Sequence, residues 1–589
     1  MKHLFQGGRR KVAAVMAIAL VASLSQVAPS SANTKKSGGE LTVGVFNQLL
    51  GSCLNPNASN SALGIMRSVY EGLFEQQEGG KIVPYLAQSM TPSADFKSWT
   101  LKLRPGIKFH DGTPLDVTAL ITNIQVARGL YFAGLAGRIG VDAATTAAAH
   151  TLGSGIAFYA NVRDITPVSA DTVRFVLWNG QVDFADTIYA SGRGYIRAVS
   201  DITNPVQCNN AGKGTGPFMF QKLTANEVVL VRNPNYWRKD KDGVQLPYLD
   251  KITFKYVNQP AQRVRGLVSG TLDAAQFSSG SETKHLYNVR QQKNLTLLMS
   301  PPDYYAMSMF NHAIEPFNNL DARLAVSYAY DTKTFQRIRN TYKGLSYGEV
   351  PSSIVGSRNV MYNKNGFITF NLAKAKQHAA KYKAATGKNL TFSQPVDTSA
   401  EAQASAKLFQ QMMKKAGITM NISTEDTATI TAKAFPSPTS GQVNPYQFYP
   451  TTLFEGTGTA FTLPFLQSNS YSAPNNLQLR GIAAASPALA QLFGAFGRAV
   501  NPARFANPQQ DALVWGAQYE TGATRKAKLK ALTKYLQETA AVLPGPSLQY
   551  GAAFSAKVKG YNTFTLASGG RGKAITNAGP AWVGVYLEK

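Results

Sequence analysis

Apolar and polar residues alternate along Trp99–Leu103, which is the pattern of a half-buried β-strand. A turn follows at Pro105-Gly106, and Ile107 and Phe109 then continue the alternation. Asp111-Gly112 closes a second turn, because glycine adopts a positive φ without strain. The segment therefore predicts extended chain interrupted by two tight turns.

The same patterns predict further elements along the chain. Helical periodicity is clear near the C-terminus, where Leu529, Leu532 and Leu536 recur on one face while the basic run Arg525–Lys530 occupies the solvated face. The predicted strands are Glu40–Phe46, Val168–Leu177 and Ile418–Ile422, and the predicted helices are Ile65–Phe74, Arg263–Asp273, Ala373–Ala385 and Ala400–Ala416.

The N-terminal segment has the three parts of a secretory signal peptide. Arg9–Lys11 is the positive region, Val12–Leu24 is the apolar run, and Ser30–Ala32 fits a small-residue cleavage site. The apolar run is shorter than the roughly 20 residues of a membrane-spanning helix, so a membrane anchor is the weaker alternative. We expect cleavage near Ala32 and an exported, soluble chain that begins near Asn33.

The size and charge of the remaining chain limit the classes of function. The 557 residues after Ala32 exceed one compact core, so two or three domains are expected. The whole chain carries a formal charge of +27, and residues 1–32 hold four of these positive charges and no acid. The basic residues are dispersed and no nucleic-acid-binding motif occurs, so no nucleic-acid partner is expected, whereas non-specific association with an anionic envelope stays open.

Candidate catalytic and metal-binding groups are sparse. His110-Asp111 lacks a nearby nucleophile or third ligand, so we interpret it as a turn. The sequence GKGTG at Gly212–Gly216 places its lysine before the last two glycines, unlike a phosphate-binding loop. The six histidines are scattered and form no metal-ligand pair at helical spacing: they are His3, His110, His150, His285, His312 and His378. The sequence therefore predicts that the protein is not an enzyme and binds no cofactor or metal of its own. A secreted hydrolase is the weaker alternative.

Short sequence blocks spread over about 500 residues occur in the order found in one protein family. They are YEGL at Tyr70–Leu73, LKLRPGIKFHDGTPLDV at Leu101–Val117, GTGPF at Gly214–Phe218, RNPNYW at Arg232–Trp237, LPYLDKI at Leu246–Ile252, SGTLD at Ser269–Asp273 and the run Met309–Asp331. Together they resemble the extracytoplasmic solute-binding proteins, family 5, which serve oligopeptide, dipeptide and nickel ABC transporters. The shared order and spacing carry this resemblance.

The resemblance implies an α/β fold of the type II periplasmic-binding-protein class. Two lobes are joined by hinge strands, and the large lobe carries an extra subdomain. The segments are a signal peptide at 1–32, the large lobe at 33–74, 212–295 and 550–589, its subdomain at 75–211 and the second lobe at 296–549. Ligand would bind between closing lobes of a monomer that delivers it to ABC permease subunits in the membrane.

Two cysteines, Cys53 and Cys208, remain in the exported chain. An even number in an oxidising compartment favours a disulfide, and in the family both regions flank the boundary between two parts of the large lobe. Two buried thiols are the alternative. Many relatives carry a lipid-modified cysteine directly after the signal, but no cysteine precedes Cys53 here, so we expect a periplasmic or secreted protein that is not a lipoprotein.

The ligand class is the least determined feature. Peptide-binding relatives usually hold the peptide ammonium with an aspartate, but the matching stretch Pro445–Leu466 contains no aspartate and Glu455 is its only acid. Its aromatic residues suit apolar side chains or sugar rings. We therefore expect short peptides first, with an oligosaccharide or chelated metal as alternatives, and a receptor that serves a sensor as a rival role.

Position along the resembling segments gives a set of candidate cleft residues. They lie after the first strand, after the SGTLD block, at the predicted crossing between lobes and within the aromatic stretch. The candidate ligand-binding residues are Phe46, Asn47, Gln276, Phe277, Tyr305, Asn311, Phe448, Tyr449, Thr451, Phe454 and Glu455.

Overall fold

The computed structural model describes most of the chain after the predicted signal peptide. The described residues are 37–46, 48–49, 60–128, 130–131, 158–159, 161–190, 194–204, 208, 210–302, 304–434, 444–455, 458–460, 462–466, 502–576 and 579–588. Side chains are not described at 60–63, 279–281, 427–428, 431–432, 451–455 and 464–465.

A seven-stranded sheet forms the core of the first lobe. Its central strand, Glu40–Val45, pairs in parallel with a strand on each side, and the outer strands pair antiparallel. Burial on both faces explains the apolar sequence of the central strand. In spatial order the strands are Phe218–Leu223, Glu227–Arg232, Lys251–Tyr256, Glu40–Val45, Ala274–Ser278, Tyr550–Ser555 and Leu295–Met299.

A four-stranded antiparallel sheet forms the subdomain. It contains the predicted strand around Trp99, whose alternating residues are buried as expected. The prediction of a single strand over Val168–Leu177 is wrong, because a turn at Ala170-Asp171 folds this segment into two paired strands. In spatial order the strands are Ala87–Pro92, Ser98–Leu103, Thr172–Leu177 and Val162–Ser169.

The second lobe is built on a three-stranded sheet and a neighbouring parallel pair. The three-stranded sheet is antiparallel and the pair adjoins its outer strand. The sheet contains Phe448–Glu455, Tyr304–Phe310 and Val542–Leu548, and the pair contains Thr391–Val396 and Thr419–Thr424. Helices Leu320–Ala329, Thr332–Arg339, Leu372–Thr386 and Ala400–Lys415 cover its aromatic core.

The chain crosses between the two lobes at two adjacent places. One crossing joins Leu295–Met299 to Tyr304–Phe310, and the other joins Val542–Leu548 to Tyr550–Ser555. The crossings are hydrogen-bonded to each other, since the Ser300 amide donates to the Tyr550 carbonyl at 2.7 Å and the Gln549 side chain donates to the Ser300 carbonyl at 2.6 Å. Paired crossings of this kind form a hinge.

The remaining helices and short strands complete the described chain. The helices are Asn60–Val69, Val117–Ala127, Phe184–Ala190, Val199–Thr203, Pro260–Ser269, Ser279–Arg290, Thr427–Ala434, Pro508–Tyr519 and Gly522–Glu538, with a 3₁₀ turn at Leu463–Leu466. The short strands are Glu71–Gly72, Phe74–Gln76, Ile82–Pro84, Tyr195–Ile196, Thr341–Tyr342, Leu345–Ser346, Val558–Lys559, Ile575–Thr576, Gly579–Pro580 and Tyr586–Leu587. None of the described helices has the length and apolar character needed to cross a membrane.

Several helix predictions agree with the structure, whereas two helices begin and end earlier than predicted, one of them Arg263–Asp273, which is observed at Pro260–Ser269. Leu372–Thr386 and Ala400–Lys415 match their predicted positions, and the three leucines of Gly522–Glu538 are buried. The predicted helix Ile65–Phe74 begins and ends earlier, at Asn60–Val69. The residues after Val69 instead pair as short strands, because strand partners from distant segments are available to them.

The His110-Asp111 pair forms hydrogen bonds that hold neighbouring turns together. The His110 ring bridges the Gly216 carbonyl (3.0 Å) and the Gly214 amide (3.3 Å), and Asp111 accepts from Thr113, so the pair holds turns together.

Cys208 is buried and disulfide-bonded. Its expected partner Cys53 lies outside the described residues, so the specific pairing stays a prediction. The predicted lobe boundaries also stay predictions.

Candidate ligand-binding site

An open cavity of about 420 Å³ lies where the two lobes meet. Ser278, the last residue of a first-lobe strand, contributes from one side, and second-lobe residues form most of the wall. Leu548, at the second crossing between lobes, also lines it. The volume falls in the range of about 300–1,000 Å³ that is typical of small-molecule sites.

Strand topology explains why polar groups converge here. In open α/β sheets, ligands bind beyond the carboxyl ends of parallel strands. The parallel strands Lys251–Tyr256 and Ala274–Ser278 end on the first-lobe side, and Thr391–Val396 ends on the second-lobe side. Burial, and then the negative charge of Asp397, raise the pKa of Tyr256, the last residue of the strand Lys251–Tyr256.

The end of the strand Thr391–Val396 supplies polar groups to the cavity. Gln394 is only 7% exposed, and its Oε1 is buried without a hydrogen-bond partner among the described residues. Asp397 follows, and its Oδ1 accepts from the Ser399 amide at 2.8 Å. An unpaired buried amide costs about 1–3 kcal/mol, so a ligand that pairs with it gains a corresponding advantage.

The guanidinium group of Arg339 lies in another part of the cavity wall. Arg339 is held by two hydrogen bonds, from Nε to Ser405 Oγ at 2.9 Å and from a terminal nitrogen to the Glu401 carbonyl at 2.8 Å. Burial lowers the pKa of Arg339, and the Glu401 carboxylate offsets this only in part. Desolvation therefore outweighs the favourable charge of Glu401 at this position.

The rest of the wall is apolar and rigid. Phe409 stacks on Phe448 with ring centroids 5.5 Å apart, and Tyr449 stacks on Tyr446 at 6.4 Å. Prolines also line the cavity, and proline has a fixed φ and no amide hydrogen. The apolar, aromatic and proline residues of the wall are Ala306, Tyr330, Phe335, Pro395, Val396, Ala402, Ala406, Phe409, Ile430, Phe448, Tyr449, Pro450, Leu543, Pro546 and Leu548.

Two of the sequence candidates reach this cavity with described side chains. Phe448 and Tyr449 both line it, although Phe448 is also part of the second-lobe core. Thr451, Phe454 and Glu455 belong to the same strand, Phe448–Glu455, but their side chains lie outside the described residues. Asn47 likewise falls outside what is described.

Four candidates from the first lobe and the crossing lie elsewhere. Phe277 packs in a first-lobe core with the Arg263 guanidinium 5.1 Å from its ring, and Phe46 lies 5.5 Å from the same guanidinium. Gln276 lies on the other face of its strand from Phe277, and both polar atoms of its amide are buried without a hydrogen-bond partner in the part of the chain that the structure describes. Tyr305 lines a separate cavity of about 40 Å³ on the other face of its strand.

Asn311 has a structural position. It is buried, its amide nitrogen donates to the carbonyls of Asn444 (3.1 Å) and Tyr446 (3.0 Å), and its oxygen accepts from the Ala313 amide (3.2 Å). These bonds leave little capacity for a ligand, and Asn311 is not part of the cavity wall.

Sequence reasoning missed several residues that line the cavity. Gln394, Asp397, Arg339 and Ser405 lie in segments outside the quoted family blocks. The signal that the sequence offered was the position of Asp397 directly after the short segment Thr391–Val396, which forms a strand. Within the described part of the chain, no group of three or more His, Cys, Asp or Glu residues has the arrangement of a metal site.

Comparison with known proteins identifies the class to which this two-lobed α/β molecule belongs. The model of the bacterial extracellular solute-binding proteins, family 5 (middle) matches residues 81–467. The chain therefore belongs to family 5 of the extracytoplasmic solute-binding proteins of ABC importers, as its sequence blocks suggested.

Individual relatives differ in what their names say they bind. The nickel-binding periplasmic protein of Escherichia coli K12 is 26% identical over 386 residues, covering 62% of this chain and 67% of that protein. The glutathione-binding protein GsiB of the same strain is 26% identical over 344 residues, covering 54% of this chain and 60%, less than two thirds, of that protein.

A solved structure supports the fold at low sequence identity. The periplasmic binding protein DppA of Helicobacter pylori, in complex with the peptide STSA, has a TM-score of 0.70 and 18% identity. The match covers 95% of this chain and 99% of that one. The predicted type II periplasmic-binding-protein fold with two lobes is thereby confirmed.

Proposed function

We propose that this protein captures short peptides between its two lobes and delivers them to the permease of an ABC importer. The cavity between the strand ends of the two lobes carries the proposal. Its wall combines a buried unpaired amide, one carboxylate and one guanidinium with apolar and aromatic surface. A peptide offers amide, charged and apolar groups in the same molecule. The glutathione-binding relatives and the peptide-bound structural neighbour support this choice.

Closure of the lobes gives a physical route from binding to transport. Ligand that touches Ser278 of the first lobe and Asp397 of the second contacts both lobes at once, so it binds the closed arrangement more tightly than the open one. Such a difference in affinity shifts the population towards the closed state. The permease would recognise that state. Export by the signal peptide and action as a monomer, without a lipid anchor, complete the proposal.

A non-peptide ligand is the second candidate. The nickel-binding relative favours a chelated metal, whose organic part would make most of the contacts. The aromatic rings of Phe448 and Tyr449 would equally suit the faces of sugar rings.

Native mass spectrometry of gently purified protein separates these ligand classes. We expect a set of retained masses that match short peptides, whereas a hexose ladder or a metal-containing adduct would overturn the peptide assignment. Calorimetric titration with a mixture of dipeptides and tripeptides then measures affinity directly.

A cavity-filling substitution tests whether binding occurs at this place. Ala402 lines the cavity and Lys407 lies on the exposed side of the same helix. Ala402→Trp is expected to abolish peptide binding, while Lys407→Trp, the matched control, leaves affinity unchanged. Full peptide affinity in a folded Ala402→Trp protein would contradict binding at this cavity.

A further inference from the structure

A helix on the surface of the second lobe, Leu372–Thr386, carries positive charge only. The segment between Glu349 and Asp397 contains no acidic residue. Its basic residues are Arg358, Lys364, Lys374, Lys376, Lys381, Lys383 and Lys388. Four of these lysines belong to the helix, and all four are exposed. Exposed helices usually mix charges of both signs, so this helix differs from an ordinary solvated one.

The acids of neighbouring elements do not neutralise the helix lysines. Asp321, on the adjacent helix, is hydrogen-bonded to His378 at 2.6 Å. Glu315 pairs at 2.7 Å with Lys388, which follows the helix. Within the part of the chain that the structure describes, no lysine of the helix itself forms a salt bridge. Four positive charges are therefore available to an anionic partner.

The lysines form two parallel rows on the helix. Lys374 and Lys381 make one row and Lys376 and Lys383 the other, since residues seven positions apart lie nearly above one another. The outermost face between the two rows consists of short or uncharged side chains, all exposed: Ala373, Gln377, Ala380 and Ala384. Because lysine side chains are longer than these, both rows reach a flat surface at the same time.

Exposed apolar side chains beside the lysines favour a lipid surface over a soluble polyanion. Phe370 is 45% exposed and directly precedes Asn371, whose side chain caps the helix by accepting from the Lys374 amide at 3.0 Å. Leu320 is 43% exposed at the start of the helix that packs against Leu372–Thr386. A soluble polyanion offers such groups no apolar contact. The boundary between lipid headgroups and acyl chains accepts aromatic and aliphatic side chains next to lysines.

We propose that the helix Leu372–Thr386 binds the protein to membrane surfaces rich in anionic phospholipids. The helix lies flat on the headgroups, its lysines contact lipid phosphates, and Phe370 enters the apolar boundary. No residue of this helix lines the cavity between the lobes, so membrane binding leaves the cavity open to its ligand. The surface keeps a receptor without a lipid anchor close to a membrane. The proposal does not depend on which ligand the cavity takes.

Sedimentation with lipid vesicles tests the proposal. The protein without residues 1–32 is mixed with vesicles of phosphatidylcholine alone, or of equal parts phosphatidylcholine and phosphatidylglycerol. Binding is expected only to the anionic vesicles and is expected to fall steeply as salt is added, because salt screens the attraction. Absence of binding to the anionic vesicles at low salt would overturn the proposal.

Two quadruple variants with the same change in net charge locate the binding surface. Replacing the four helix lysines by glutamine is expected to weaken vesicle binding about fivefold for each lysine removed. The matched control replaces four exposed lysines of the first lobe and its subdomain by glutamine, and these are Lys81, Lys97, Lys108 and Lys239. The control is expected to bind within about threefold of the parent protein, since its lysines lie on other surfaces. Equal weakening by both variants would show that net charge alone is responsible and would refute the role of the helix.

A substitution of Phe370 distinguishes a membrane from a soluble polyanion. Phe370→Ser is expected to weaken vesicle binding about tenfold, because it removes an apolar contact, and to leave binding of soluble polyphosphate unchanged. Val168→Ser, at an exposed apolar position of the subdomain, is the control and should change neither. Unchanged vesicle binding by Phe370→Ser, together with equally tight binding of polyphosphate, would assign the surface to a soluble polyanion and overturn the proposal. Unchanged circular dichroism and melting temperature establish that each variant is folded.

Discussion

Replacing Asp186 by asparagine is expected to stabilise the folded protein at neutral pH. Asp186 belongs to helix Phe184–Ala190 and lies near Asp183, whose carboxylate accepts hydrogen bonds at 2.5 Å from Arg525 and from Thr459. Burial, and then the charge of Asp183, raise the pKa of Asp186 from its ordinary value of 3.8 to about 6. A neutral amide of similar shape avoids the cost of ionising this buried group.

The expected size follows from proton linkage. A pKa raised by about 2 units corresponds to about 3 kcal/mol. The folded state binds this proton more tightly than the unfolded state. The protonated side chain of Asp186 therefore contributes its full stability below pH 3.8, and this contribution is lost as the pH rises through 6. The Asp186→Asn substitution should therefore raise the free energy of unfolding by about 3 kcal/mol at pH 7.5 but by only about 1 kcal/mol at pH 4.5.

Urea denaturation followed by circular dichroism at these two pH values measures the difference. The comparison requires equal slopes for variant and parent, since a changed slope reports a changed unfolded or intermediate state. Asp242→Asn removes an exposed carboxylate and should shift stability by no more than about 0.5 kcal/mol. No stabilisation at pH 7.5, or the same gain at both pH values, would refute the electrostatic reasoning.

Three further predictions concern other buried groups. Burial lowers the pKa of His110 from 6.5 to about 4, so the folded protein should lose stability as the pH falls from 6.5 towards 4. In urea titrations, His110→Gln should remove up to about 3 kcal/mol of this acid-induced loss. An unchanged pH dependence of stability in the variant would contradict this. If Cys208 pairs with Cys53, a thiol reagent should not label the denatured protein until the disulfide has been reduced. Labelling of two thiols before reduction would refute the bond. Gln276→Met should raise the unfolding free energy by about 1 kcal/mol, because it removes an unpaired buried amide; lower stability in the same urea titration would show that the amide has a partner in the native protein.

Sequence periodicity was sufficient to predict those helices and strands whose structure depends on their own residues. The helix Gly522–Glu538 could be predicted because its leucines repeat at helical spacing, and the strand Ser98–Leu103 because its residues alternate. Such patterns failed at boundaries that distant segments decide. The chain after Val69 leaves the helix because Glu71–Gly72 pairs with residues more than a hundred positions away.

The candidate site was predicted only in part, and the reason is geometric. Neighbouring residues of a strand face opposite sides, so position near a strand end does not show which side chain reaches the ligand. Phe277 faces a first-lobe core, whereas the next residue, Ser278, reaches the cavity. Gln276 shares a face with Ser278 but lies two positions further from the strand end. Arg339 comes from a helix whose sequence resembles an ordinary surface helix, and only its packing against Ser405 aims it at the cavity.

The sequence by itself determined the family, the α/β class, many of the elements and the expectation of export. These properties depend on residue order and on local periodicity, which survive without knowledge of the fold. The tertiary structure alone decided which side chains line the cavity. Ser278, Arg339 and Asp397 are separated by tens of residues along the chain, and they line one cavity only because the fold brings their segments together.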